Sequence, residues 1–344
     1  MDIKILFICP KQEDFLSDSL LHGLRKIYSN NVIDWPKNRY IYKNSEYDDI
    51  HGGGFTIYNT LDDIEIERED VKSRAKKNYF DLVILAKIHN QSDFIIRNYG
   101  WLTQTNLVIL DTADQDNIYP YSTNDLKKGY TFLFKNLYKQ FPYFKREITN
   151  YSYFSAKFGF LPVSLTKMID NLSIKGNKKL LNNLENISFS IPKSKVLESP
   201  SKKDKLFTRH IVDREVAARV EGSTAEKVFK DEDEYFDDIQ SSKFGVTMKR
   251  SGWDCLRHYE IAANAAVPCF KRLSDKPKRC PPYGLGPDNC IYYSNFDELM
   301  HKVNELDHVD YICMQKNALE WAKENTTVKR AKLFLHKCQK YYDL

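Results

Sequence analysis

The chain has 344 residues, 42% of them hydrophobic and 13% aromatic, which is material for about two ordinary domains with buried cores and excludes wholesale disorder. Its 52 Lys and Arg against 47 Asp and Glu leave a formal charge of +5, far less concentrated than in dedicated nucleic-acid binders. No apolar run approaches the roughly 18 residues that span a bilayer, and the seven cysteines show no framework spacing, so reduced thiols in a cytoplasmic protein are expected.

The run Ile3 to Cys9 is apolar, short and not followed by a small-residue cleavage site, which predicts a buried parallel strand rather than a signal peptide. Leu16, Leu20, Leu21 and Leu24 recur at helical spacing. Val32 to Trp35, Phe80 to Ala86 and Asn106 to Asp111 read as further strands. Strands separated by helix-length segments predict a doubly wound α/β domain over residues 1–165. A polar, Lys- and Asn-rich stretch, 166–205, reads as a connector. A second alternation fills 206–325. Strands are expected at Leu206 to His210, Phe244 to Met248, Val267 to Phe270 and Cys290 to Tyr293. Helices are expected at Glu232 to Ser241, Trp253 to Ala265 and Asn295 to Leu306, with helical sequence continuing through 326–344.

Open α/β sheets bind ligands beyond the carboxyl ends of their strands, and three places there draw attention. After the strand at Phe244 to Met248, Asp254 stands where a carboxylate can cap helix amides, and Arg257 and Glu260 share one helix face. The guanidinium offers a fork for a phosphate and the Glu an acceptor for sugar hydroxyls; an ordinary ion pair on a solvated helix is the alternative. After the strand ending at Asp111, Asp111 or Asp114 can serve as a base taking an acceptor hydroxyl's proton, or cap a turn. Gly52, Gly53 and Gly54 permit close approach to a phosphate or acceptor, or form a plain turn; they match neither a P-loop nor a dinucleotide fingerprint. Arg209, Arg214 and Lys249 flank strand ends suited to a diphosphate. Tyr283 sits in a Pro/Gly-rich loop and can touch a base or sugar, while Cys280 and Cys290 around it are poor zinc evidence. Lys145-Arg146-Glu147 reads as a solvated helix face, and His258 as a packed histidine.

The segment from Lys243 to Phe270 resembles the donor-binding core of GT-B glycosyltransferases: a strand, a Gly-containing loop, a helix, and a strand with Val267-Pro268. Glu260-Ile-Ala-Ala-Asn-Ala-Ala-Val-Pro stands where that family has E-A-x-A-x-G, with Ala265 or Ala266 in place of the Gly. Asn289 to Leu299 is similar to the family's run into the next helix. The resemblance is detailed over residues 240–344 and extends to the first domain in outline. It is nearest the subset with R-x-x-E in this helix, including spore-coat CgeB-like proteins, and more remotely phage DNA β-glucosyltransferases.

The resemblance implies an α/β architecture of two Rossmann-like doubly wound domains facing a cleft, closed by a long C-terminal helix that packs back on the first domain. It implies Arg257 on a nucleotide diphosphate and Glu260 on the ribose. Arg209, Arg214, Lys249, Gly252, Asp254 and Tyr283 complete the expected donor set, and an Asp near the Asp111–Asp114 strand end the catalytic one. The implied co-substrate is a nucleotide-sugar, a UDP-sugar foremost, with no other cofactor and no metal, and the acceptor a saccharide or other hydroxyl. Retaining members often carry a Glu eight positions before the ribose-binding one, where this chain has Gly252, so the stereochemical outcome is not carried over. Two alternatives stand beside this reading: transfer to modified DNA bases, and a non-catalytic nucleotide-sugar-binding protein.

Overall fold

The computed structural model describes residues 3–45, 55–119, 137–158 and 182–344. Gly52, Gly53 and Gly54 lie outside them. The first sheet is entirely parallel, in the order β2-β1-β3-β4-β5-β6. Its strands are β1 (Ile5–Ile8), β2 (Val32–Trp35), β3 (Leu82–Ala86), β4 (Leu107–Asp111), β5 (Tyr143–Lys145) and β6 (Leu184–Asn186). The apolar runs expected as strands form its centre, since strands covered on both faces need no polar alternation. β5 and β6 were not anticipated. β6 falls inside the stretch read as connector, so the first sheet extends past residue 165.

Helix α1 (Phe15–Tyr28) follows β1 and covers this sheet. Asp14 caps it by accepting from Ser17 N at 2.8 Å, and Asp18 reaches back to accept from Asp14 N at 2.9 Å. Asp18 also accepts from Asn38 Nδ2 at 2.7 Å, which ties the chain after β2 to the helix. Burial pushes the Asp18 carboxyl up from 3.8 to about 7. The protonated form is the one the fold favours, so its contribution to stability is full below 3.8 and is lost as pH rises through about 7. Asp18→Asn should therefore flatten the pH dependence of the melting temperature in that window.

The second sheet is also parallel, in the order β10-β9-β8-β7. It consists of β7 (Lys205–Phe207), β8 (Ser242–Met248), β9 (Val267–Lys271) and β10 (Ile291–Tyr293). Helices α2 (Glu232–Ser241) and α3 (Leu256–Ala263) precede β8 and β9. The expected helix at Trp253 starts only at Leu256, because Trp253 and Asp254 belong to the loop before it.

The chain leaves the first sheet after β6 and returns at the junction of α4 (His308–Glu324) and α5 (Thr327–Cys338). The two passes run side by side: Ile191 N donates to Asn325 O at 3.2 Å and Thr327 N to Ile191 O at 2.9 Å. Helix α5 then packs on the first domain. His22 Nδ1 lies 2.8 Å from Thr327 Oγ1, the Phe144 and Phe334 rings are 4.5 Å apart, and Tyr342 donates to Leu107 O at 2.7 Å. Gly23 permits the close crossing of α1 and α5, since a Cβ there would sit 2.0 Å from Thr327 O. Gly23→Ala should cost about 1–3 kcal/mol in chemical denaturation, despite alanine's better helix propensity.

Candidate active site

The carboxyl ends of the first sheet carry a cluster of charged side chains. Lys145, Arg146 and Glu147, expected on a solvated helix face, are instead 0%, 2% and 3% exposed at the end of β5. Register sets Lys145 opposite Asp111, and its Nζ lies 2.9 Å from Asp111 Oδ2. Tyr143 donates to the same oxygen at 2.6 Å. Asp111 is thus sealed inside the first domain against its own cation.

Arg146 and Glu147 reach the second domain. Arg146 donates to Asp254 O at 3.1 Å and to Thr112 O at 3.1 Å, pairs with the Asp114 carboxylate, and lies 4.3 Å over the Phe189 ring. Glu147 accepts from Trp253 N at 2.8 Å and Asp254 N at 3.3 Å. Gly252 is required here: a Cβ on it would sit 2.6 Å from Glu147 Oε1 and 3.2 Å from Asp114 Oδ1. Asp254 caps no amide of α3. Its carboxylate accepts from Phe189 N at 2.7 Å and Tyr259 OH at 2.9 Å, and is fully committed to packing. Burial raises the Glu147 and Asp254 carboxyls, opposed by the positive charge of Arg146. Removing one member of such a buried set strands the others, so Arg146→Ala should lower unfolding free energy by about 3–5 kcal/mol.

Beyond the carboxyl end of the second sheet lies a pocket of about 200 Å³. Arg257 and Glu260 of α3 line it, with His210 after β7, Lys227, Phe229, Tyr235 of α2, and Phe15 and Phe55 of the first domain. Arg257 Nε is buried without a hydrogen-bond partner among the described residues. Glu260 is buried and accepts from Tyr235 OH at 2.7 Å and Thr56 Oγ1 at 2.5 Å. Burial raises its carboxyl above the ordinary value, against the pull of these donors and of Arg257. His210 is held at about 4 by burial and by the charges of Arg257 and Arg250. The ring is neutral at pH 7, and the pocket is electropositive without it.

The other residues expected at the donor site lie elsewhere. Arg209 N donates to Asp238, and its side chain, 52% exposed, lies 3.8 Å from Glu234 and 5.9 Å over the Phe229 ring, outside the pocket lining but at its edge. His210 takes the inward position; the strand-end location that drew attention to Arg209 pointed to its neighbour as well. Arg214 is exposed at the start of the short helix Arg214–Ala217, and Lys249 is exposed with its Nζ 5.1 Å over the Trp253 ring. Tyr283 donates to Arg279 O at 2.8 Å and accepts from Asn186 Nδ2 at 2.6 Å, which joins the second domain to the end of β6 rather than to the pocket. His258 is packed, with ring nitrogens 2.8 Å from Thr247 Oγ1 and 3.0 Å from Trp253 O.

A second pocket, of about 480 Å³, opens at the carboxyl ends of β1, β3 and β4. Glu13, Asp14, Lys87, His89, Asp114 and Gln115 supply its polar wall, and Ser251 of the glycine-containing loop borders it from the second domain. The Asp114 side chain is 43% exposed, in contrast to Asp111 at 0%. Phe15 lines both pockets. No helix among the described residues is long and apolar enough to cross a membrane.

No protein-family model matches the sequence, and no curated protein does. Solved structures are similar along the whole chain. Anabaena HepE in complex with UDP and glucose matches at 11% identity, covering 98% of this chain and 99% of that one, with a TM-score of 0.53. A glycosyltransferase from Rickettsia africae matches at 9% identity, with 98% of each chain covered and a TM-score of 0.54. Sucrose-phosphate synthase from Thermosynechococcus elongatus matches at 9%, again with 98% of each covered, and a TM-score of 0.50. Two parallel-stranded α/β units meeting at their carboxyl ends, aligned with these structures from end to end, give this chain the GT-B fold.

Proposed function

We propose that the protein is a glycosyltransferase that moves a sugar from a nucleotide-sugar to a hydroxyl acceptor. The observation that carries this reading is the pair Arg257 and Glu260, one helical turn apart in a pocket at the carboxyl end of a parallel sheet, with the guanidinium Nε unpartnered. Arg257 and Lys227 would balance the diphosphate, the neutral His210 ring would donate a hydrogen bond to it, and Glu260 would accept from the ribose. A nucleoside diphosphate leaving group needs such fixed positive charge as the glycosidic bond breaks. The UDP and glucose bound to HepE support a UDP-sugar as donor.

The acceptor would enter the second pocket, where Asp114 takes the proton from the attacking hydroxyl. Its exposure and position fit that task, whereas the burial of Asp111 against Lys145 does not. The carboxylates of Glu13, Asp14 and Asp114 favour a neutral, hydroxyl-rich acceptor such as a saccharide over a polyanion such as DNA. Ser251 and Phe15 border the space where the two substrates would meet, and contact between the domains there limits water and hence donor hydrolysis.

Calorimetry with UDP-glucose tests the donor side. Arg257→Ala should weaken binding roughly ten- to a hundredfold, the worth of a charged hydrogen bond; unchanged affinity in Arg257→Ala and Glu260→Ala would overturn the assignment. On the acceptor side, Asp114→Asn should lower kcat by about two to four orders of magnitude while donor affinity stays at the wild-type value.

A further inference from the structure

Two residues of the first domain reach the pocket assigned to the nucleoside, Phe55 in its wall and Thr56 through a bond to Glu260. Thr56 Oγ1 donates to Glu260 Oε1 at 2.5 Å, and Thr56 N donates to Glu232 Oε1 at 2.6 Å. The Phe55 ring stacks on Tyr235 at 5.7 Å between centroids and 27° between planes. Tyr235 in turn donates to the other oxygen of Glu260. A hydroxyl on the carboxylate and a flat ring laid on an aromatic neighbour are the two contacts that a ribose and its base would make there.

Two further observations mark this arrangement as one that gives way. Thr56 is fully buried with φ of +76°, a left-handed conformation that a β-branched residue adopts only under strain. The space beside it, about 200 Å³, falls short of the roughly 300–1,000 Å³ of small-molecule sites. A nucleoside cannot share this volume with Phe55 and Thr56 where they stand.

Resting on the donor reading above, we infer that Phe55 and Thr56 act as an internal competitor: they occupy the nucleoside's place in the empty protein, and the donor binds by displacing them. Apparent affinity is then the intrinsic affinity reduced by the small fraction of molecules in which the pocket is clear. Part of the donor's binding energy is spent on exchange, and the strain at Thr56 is released as it leaves.

The competitor and an ordinary wall of the site respond in opposite directions to mutation. Calorimetric titration of the full chain with UDP, ADP, GDP and CDP, in wild type and in Thr56→Val, Thr56→Ser and Phe55→Ala, separates them. Thr56→Val, which removes the hydroxyl and keeps the branched shape, should tighten the best nucleotide roughly two- to tenfold, the worth of one net hydrogen bond. Phe55→Ala should tighten it as well, and Thr56→Ser, which keeps the hydroxyl, should bind like wild type. If the wild type binds a nucleotide and Thr56→Val or Phe55→Ala binds it equally or more weakly, the inference is wrong while the donor reading stands. If neither the wild type nor any variant binds any of the four, the donor reading itself falls and takes this inference with it.

Discussion

The geometry of both pockets depends on how two residues at the end of a three-residue strand grip a loop of the other domain. Arg146 and Glu147 leave β5 and take hold of Trp253 and Asp254 through backbone atoms. Glycine at position 252 leaves room for this approach, since a Cβ there would press on the Glu147 carboxylate. The same loop leads directly into the helix that carries Arg257 and Glu260. The contact between domains and the placement of Arg257 and Glu260 are therefore linked through one loop. Charge balance in the interior supports it, because the buried Arg146 is flanked by the buried Glu147 and Asp254 and pairs with Asp114 at the surface.

Much of the fold was legible in the sequence, for a physical reason. The inner strands of a parallel sheet are buried on both faces, so Ile5–Ile8, Leu82–Ala86 and Leu107–Asp111 stand out as apolar runs against polar surroundings. The last two strands of the first sheet, β5 and β6, carry no such mark. Tyr143–Lys145 and Leu184–Asn186 are short and include charged or polar residues, and their strand character comes from neighbours distant in sequence. Once β5 is missed, Lys145-Arg146-Glu147 looks like solvated charge. Nothing local reveals that an aspartate 34 positions earlier stands opposite the lysine.

The site divides in the same way. The common face of Arg257 and Glu260 was legible because helical spacing is a local property, while their proposed role came from the resemblance of the segment around them. Asp254 and Tyr283 were placed at the donor site by proximity in sequence, and each is engaged by a partner that only the folded chain supplies: Phe189 N and Asn186. His210 went unnoticed because the turn after β7 decides which of two neighbours faces inward, and that turn is set by a hydrogen bond to Asp238. The first domain's share of the pocket around Arg257, Phe15 and Phe55, had no signature at all, since neither position carries a residue type that announces a role in binding.

The chain passes between its halves twice, and the two passes lie against each other, joined by backbone hydrogen bonds between Ile191 and the Asn325–Thr327 junction. Two separate tethers at opposite rims would have locked the halves in every direction. A single paired seam behaves as a pivot: twisting about its line leaves those bonds intact, whereas shearing along or across it breaks them. The seam therefore fixes one line along which the halves stay paired, while away from it they are held by side-chain contacts such as those of Arg146 and Glu147.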